Sequence, residues 1–164
     1  MTESTLTPSR LWRRMTPDQR LRAAQAFWSD EQASDDQLQA VLLIAQQKKF
    51  RPKSVLALDL DRRSKHLASI AALPDALAAR ALVLYHLSGQ REMMGTFLDV
   101  LGLKHDSGLI DDDEAKPDPD KVAPAVSAIA EKYSADDVSL YLTTLVCQDP
   151  DTWGALADLP QVLK

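Results

Sequence analysis

The chain has 164 residues, a formal net charge of −5, one cysteine and five glycines. A single cysteine excludes a disulfide within the chain, and five glycines leave little material for glycine-rich phosphate-binding loops. Leu and Ala far outnumber the β-branched Val and Ile, and straight-chain residues lose little side-chain freedom in a helix. The composition therefore predicts an all-α fold, an irregular bundle of about seven to nine short helices without significant β-sheet.

The length predicts one domain, because 164 residues lie within the usual range for a single hydrophobic core. We expect a single helical domain over residues 1–164, with its main helical core at 7–102. An acidic, proline-containing loop at 103–119 interrupts the helical pattern. The C-terminal helices are expected at 119–158.

Helix starts recur along the chain as a small polar or acidic residue, often followed by proline, which is the signature of an N-cap. The predicted starts are, in chain order, Thr7-Pro8, Thr16-Pro17, Ser34-Asp35, Pro74-Asp75, Ser134-Ala135 and Asp149-Pro150. Gln19 is placed to bond back to the Thr16 cap. Residues 52–73 are read as one helix or two shorter ones.

The third predicted helix carries apolar residues at helical spacing. Leu38, Val41, Leu42 and Ala45 recur at i, i+3, i+4 and i+7, so we expect them on the buried side. We expect this helix to end near Phe50, ahead of a proline.

The most apolar helix is predicted from Pro74 to Ser88, with Gly89 as a left-handed cap. The following helix is expected to end at Gly102. A later helix, at about 119–132, contains Pro124, which is tolerated only if the helix starts late or kinks.

No catalytic, cofactor-binding or metal-binding signature is present. The three histidines, His66, His86 and His105, are 20 and 19 residues apart, so no pair has the i, i+4 spacing of a helical metal site. Nothing around Cys147 selects it as a nucleophile. We therefore expect no catalytic residue, no cofactor and no metal, and lean towards a protein that is not an enzyme.

Four residues with polar side chains form a candidate ligand pocket: Tyr85, His86, Arg91 and His105. Asp106, adjacent to His105, is a candidate for holding the imidazole in one tautomer. A convergence of at least two of these side chains on one cavity would support an enzyme or a small-ligand binder.

Five other residues are candidates for binding a partner: Met93, Met94, Gly95, Arg13 and Arg14. Paired methionines adapt to many surfaces, and a glycine within a helix permits close approach of a neighbour. That neighbour is a packed element of the same domain, another subunit or a ligand.

Charge is distributed unevenly along the chain. Residues 1–66 carry 12 Lys and Arg against 8 Asp and Glu, whereas residues 67–164 carry 7 against 16. Such segregation bears on association rather than on chemistry. Trp12 and Trp28 in the basic half are expected to be core anchors.

The sequence favours a protein-interaction or self-association module. Such a module would bind a different protein or form a homo-oligomer. A ligand-binding pocket is the second hypothesis, and nucleic-acid binding through the basic half is the third. The longest apolar run is too short for a membrane span, so no membrane partner is expected. With one thiol and no signal-peptide pattern at its start, the chain is expected to be cytoplasmic.

Overall fold

The computed structural model describes residues 6–110 and 115–162, and these form a predominantly helical structure. The α-helices are α1 Pro8–Arg14, α2 Pro17–Ser29, α3 Ser34–Lys48, α4 Pro52–Leu56, α5 Leu60–Ala68, α6 Asp75–Gly89, α7 Arg91–Leu101, α8 Pro119–Lys132, α9 Ala135–Gln148 and α10 Pro150–Trp153. A short antiparallel hairpin, β1 His105–Asp106 and β2 Leu109–Ile110, follows α7, and a 3-10 helix, Gly154–Asp158, follows α10. The all-α prediction is confirmed.

The chain divides into two compact units, described separately below. The N-terminal unit is Thr7–Tyr85, and the C-terminal unit comprises Met1–Leu6 with His86–Lys164. The division falls within α6. The expectation of one domain stays a prediction.

Several helix starts form as predicted. In α2 the Thr16 hydroxyl accepts from the Gln19 backbone N–H at 3.1 Å, and the Gln19 side chain accepts from the Thr16 N–H at 3.0 Å. This capping box satisfies two backbone donors that the first turn would leave without partners. The side chains of Thr7, Ser134 and Asp149 each accept a backbone N–H in the first turn of their helices.

Helix α3 differs from its predicted start and buried side. Ser34 is its first helical residue rather than its cap, and Ala33 precedes it without a side-chain cap bond. Val41 and Ala45 are buried as predicted, but Leu38 and Leu42 are more than half exposed. Apolar side chains occupy most of the circumference of α3. The side that the structure buries is the one formed by Ala40, Val41, Ile44 and Ala45.

The structure tests two expectations about helix-breaking residues, and it corrects the one for Gly89. Gly89 is the last helical residue of α6, and its φ is not positive, so it is not a left-handed cap. Gly102, in contrast, has a φ of 74° and ends α7 as a left-handed cap. Helix α8 begins at Pro119 and continues past Pro124, so a late start does not explain that proline.

The core of the N-terminal unit forms around buried aromatic side chains. Trp12 is fully buried and donates its indole N–H to the Ile70 carbonyl at 2.7 Å. The Arg63 guanidinium lies 5.1 Å from the Trp28 ring centroid and donates to the Leu56 and Leu58 carbonyls. These contacts fix the connection between α4 and α5 against α2 and confirm both tryptophans as core anchors.

The core of the C-terminal unit is built from α7, α8, α9 and α10. Phe97 is fully buried and packs with its ring 5.5 Å from that of Tyr141 and 6.0 Å from that of Trp153. Ile129 is equally buried in the same cluster. None of the described helices combines the length and apolar character needed to cross a bilayer.

Candidate functional site

Two of the four predicted pocket residues meet at the hairpin. The Arg91 guanidinium donates to the Ser107 carbonyl at 3.2 Å, and His105 is the first residue of β1. His86 is buried, with its ring 5.7 Å from that of Tyr141. Tyr85 is also buried, and it belongs to the N-terminal unit.

Both ring nitrogens of His105 bond within the chain. Nε2 lies 2.7 Å from a carboxylate oxygen of Asp99, and Nδ1 accepts the backbone N–H of Gly108 at 3.0 Å. An Nδ1 that accepts requires the proton on Nε2, which then donates to Asp99. The imidazole thus closes the hairpin and leaves neither nitrogen available to a substrate.

The sequence predicts Asp106 as the carboxylate partner of His105, whereas the structure places Asp99 in that position. The turn after α7 reverses the chain at Gly102, whose φ is 74°, and brings the last turn of α7 beside β1. Gly102 lies between Asp99 and His105, and it was the signal available in the sequence, because a glycine that ends a helix predicts a reversal of the chain.

The predicted partner residues of α7 pack within the C-terminal unit. Met93 and Met94 are buried, and a role for them in binding a partner stays a prediction. A Cβ on Gly95 would lie 3.3 Å from the His105 ring, so the close neighbour of this glycine is the hairpin. A Cβ on Gly108 would meet the Met94 Cβ at 2.7 Å.

Arg13 and Arg14 end α1 and are exposed. Arg13 donates from Nε to the Ala71 carbonyl at 3.3 Å, so it also ties α1 to the segment before α6.

A different set of residues in the N-terminal unit exposes large apolar side chains to solvent. Large apolar side chains in α3, α4, α5 and their connections remain between 41 and 55 % exposed. This apolar face consists of Leu38, Leu42, Phe50, Leu56 and Leu60. Leu38 and Leu42 lie one turn apart on α3, and α3 packs against both α4 and α5.

Exposed basic side chains accompany the apolar face. The basic rim consists of Lys48, Lys49, Arg51, Lys53 and Arg62. Among the described residues, none of these five forms an ion pair. Nearby Lys65, by contrast, pairs with Asp61 at 3.0 Å.

The C-terminal unit also contains a shallow cleft of about 470 Å³. It is lined by Ala130, Ala135, Asp136, Val138, Ser139, Pro160 and Gln161. None of the predicted pocket residues lines it. Within the described part of the chain, no three His, Cys, Asp or Glu side chains gather as a metal site would require.

Four groups among the described residues of the C-terminal unit have shifted pKa values. A hydrogen bond from Lys132 at 2.9 Å and its positive charge lower the pKa of Glu92 and raise that of Lys132. Hydrogen bonds from Thr152 lower the pKa of Asp149, the cap of α10. Burial raises the pKa of the Tyr141 phenol. None of these groups lies in the apolar face.

Comparisons with protein-family models, curated proteins and solved structures gave no match.

Proposed function

We propose that this chain is a non-enzymatic interaction module that binds another protein through the apolar face and basic rim of the N-terminal unit. The observation that carries the proposal is the concentration of exposed Leu and Phe side chains within residues 38–60. Single exposed apolar residues are ordinary, but several on adjacent packed elements, bordered by charge, are typical of a protein-binding surface.

The chemistry of this surface favours a protein over a nucleic acid. Phosphates would neutralise the basic rim, but they would leave the leucines exposed to water. A protein surface supplies apolar side chains and carboxylates together.

The ligand-pocket alternative receives less support. Its most reactive candidate, His105, already uses both nitrogens to hold the hairpin. The cleft in the C-terminal unit contains none of the residues that the pocket hypothesis names.

A photo-crosslinking amino acid at position 42, introduced into the full chain in its own cells, tests the proposal. The matched control carries the same group at Gln47, which is exposed on the same helix. We expect a defined protein adduct at position 42, absent at 47 and lost on Leu56→Glu. The partner, identified by mass spectrometry and purified, should bind the wild-type chain at least about tenfold more tightly than Leu42→Glu.

Two results would contradict the proposal. Equal labelling at positions 42 and 47 would remove the apolar face as a specific site. Adducts with nucleic acid and none with protein would replace the proposal with the nucleic-acid hypothesis.

A further inference from the structure

The C-terminal unit exposes one large apolar side chain among its described residues, Leu109 in β2. Leu109 pairs directly with Asp106 of β1. Residues directly opposite in an antiparallel pair project from the same side of the ladder, so an apolar side chain and a carboxylate stand together there. Asp99, largely exposed, lies beside the same hairpin.

The hairpin is held in place before any partner arrives. Arg91 holds the Ser107 carbonyl, and the His105 ring bridges Asp99 and the Gly108 backbone. A fixed hairpin loses little conformational freedom on binding, which favours its use as a docking element.

The two units of this chain carry opposite net charges. Residues 7–85 contain 13 Lys and Arg against 8 Asp and Glu, a net of +5. Residues 1–6 and 86–164 contain 6 against 16, a net of −10. The C-terminal unit of a second copy would thus supply the negative charge that the exposed side chains of the basic rim attract.

We infer that the occupant of the apolar face is the hairpin of a second copy of this chain, with Leu109 on the leucines and Asp106 and Asp99 facing the basic rim. The inference rests on the interaction function proposed above and names its partner. Such a contact joins different surfaces of the two copies, so one copy keeps a free apolar face and the other keeps a free hairpin, and further copies can add at either end.

Sedimentation velocity of the full chain over a range of concentrations tests this inference. At about 20 mM salt we expect a mass that rises with concentration above 18.1 kDa. At about 500 mM salt the association constant should fall about tenfold or more, because screening removes the attraction between exposed charges.

Paired variants test which surfaces meet. Leu42→Glu disables the apolar face, and Leu109→Glu disables the hairpin, so each variant alone should be monomeric. Mixed in equal amounts, they should form a 1:1 complex, since the first supplies an intact hairpin and the second an intact face. The matched controls Gln47→Glu and Ala123→Glu, at exposed positions of the two units, should associate like the wild type.

Three results would overturn the inference. A monomer at every salt concentration excludes the second copy, while an adduct with a different protein at position 42 would still support the proposed function. Association of Leu109→Glu alone would exclude the hairpin as the occupant. Failure of the two variants to combine, with both folded by circular dichroism, would exclude a contact between unlike surfaces.

Discussion

At the residue scale, burial of Tyr141 predicts a dependence on alkaline pH. Burial raises the pKa of its phenol above the ordinary 10.0, so the folded chain keeps a proton that the unfolded chain releases. Stability from this group is complete below pH 10 and is lost as the pH rises further. Between pH 8 and 11, the unfolding free energy of the wild type should fall by about 1 kcal/mol relative to Tyr141→Phe. Urea titrations of both proteins at pH 8 and pH 11 measure these unfolding free energies. A difference between the two proteins that is the same at both pH values would contradict the prediction.

Gly108 combines two constraints on a side chain. Its φ is +93°, and a Cβ there would lie 2.7 Å from the Met94 Cβ. Gly108→Ala should therefore lower the unfolding free energy by about 1–3 kcal/mol. Gly89→Ala is the control, because a Cβ meets nothing within 4 Å at that helical position. It should be neutral or gain up to about 1 kcal/mol. Urea denaturation separates the two, and equal stabilities would contradict the argument.

At the element scale, the two prolines of α8 should differ in cost. Pro119 is the first residue, where the missing N–H has no intrahelical partner to lose. Pro124 lies inside the helix and removes a backbone hydrogen bond. Pro124→Ala should raise the unfolding free energy by about 1–3 kcal/mol, and Pro119→Ala should leave it nearly unchanged. Thermal unfolding tests both, and stabilisation by Pro119→Ala alone would contradict this interpretation.

Local chemistry was the predictable part of these elements. The Thr16 and Gln19 capping box uses atoms three residues apart, so the sequence contains everything that determines it. The buried side of α3 depends on which helices pack against it, and apolar residues around most of its circumference leave several choices. The burial of Met94 likewise depends on tertiary contacts. The apolar face was missed because Leu38 and Leu42 were expected inside.

At the scale of the whole molecule, the charge asymmetry was visible in the sequence, and the division into units sharpens it. The C-terminal unit has a net charge of −10, which opposes its own compactness through self-repulsion. Raising salt from about 20 to 200 mM should therefore increase hydrogen-exchange protection in α7–α9, because the Debye length shortens. The measurement requires a concentration at which the chain is monomeric. Lower protection at the higher salt would contradict this expectation.

The opposite charges of the two units also have a practical consequence. A positively charged resin or sensor chip at neutral pH should adsorb the protein through the C-terminal unit, because the support repels the net +5 of the N-terminal unit. Immobilisation of this kind requires no tag or coupling chemistry. A negatively charged support should instead bind the N-terminal unit through the basic rim.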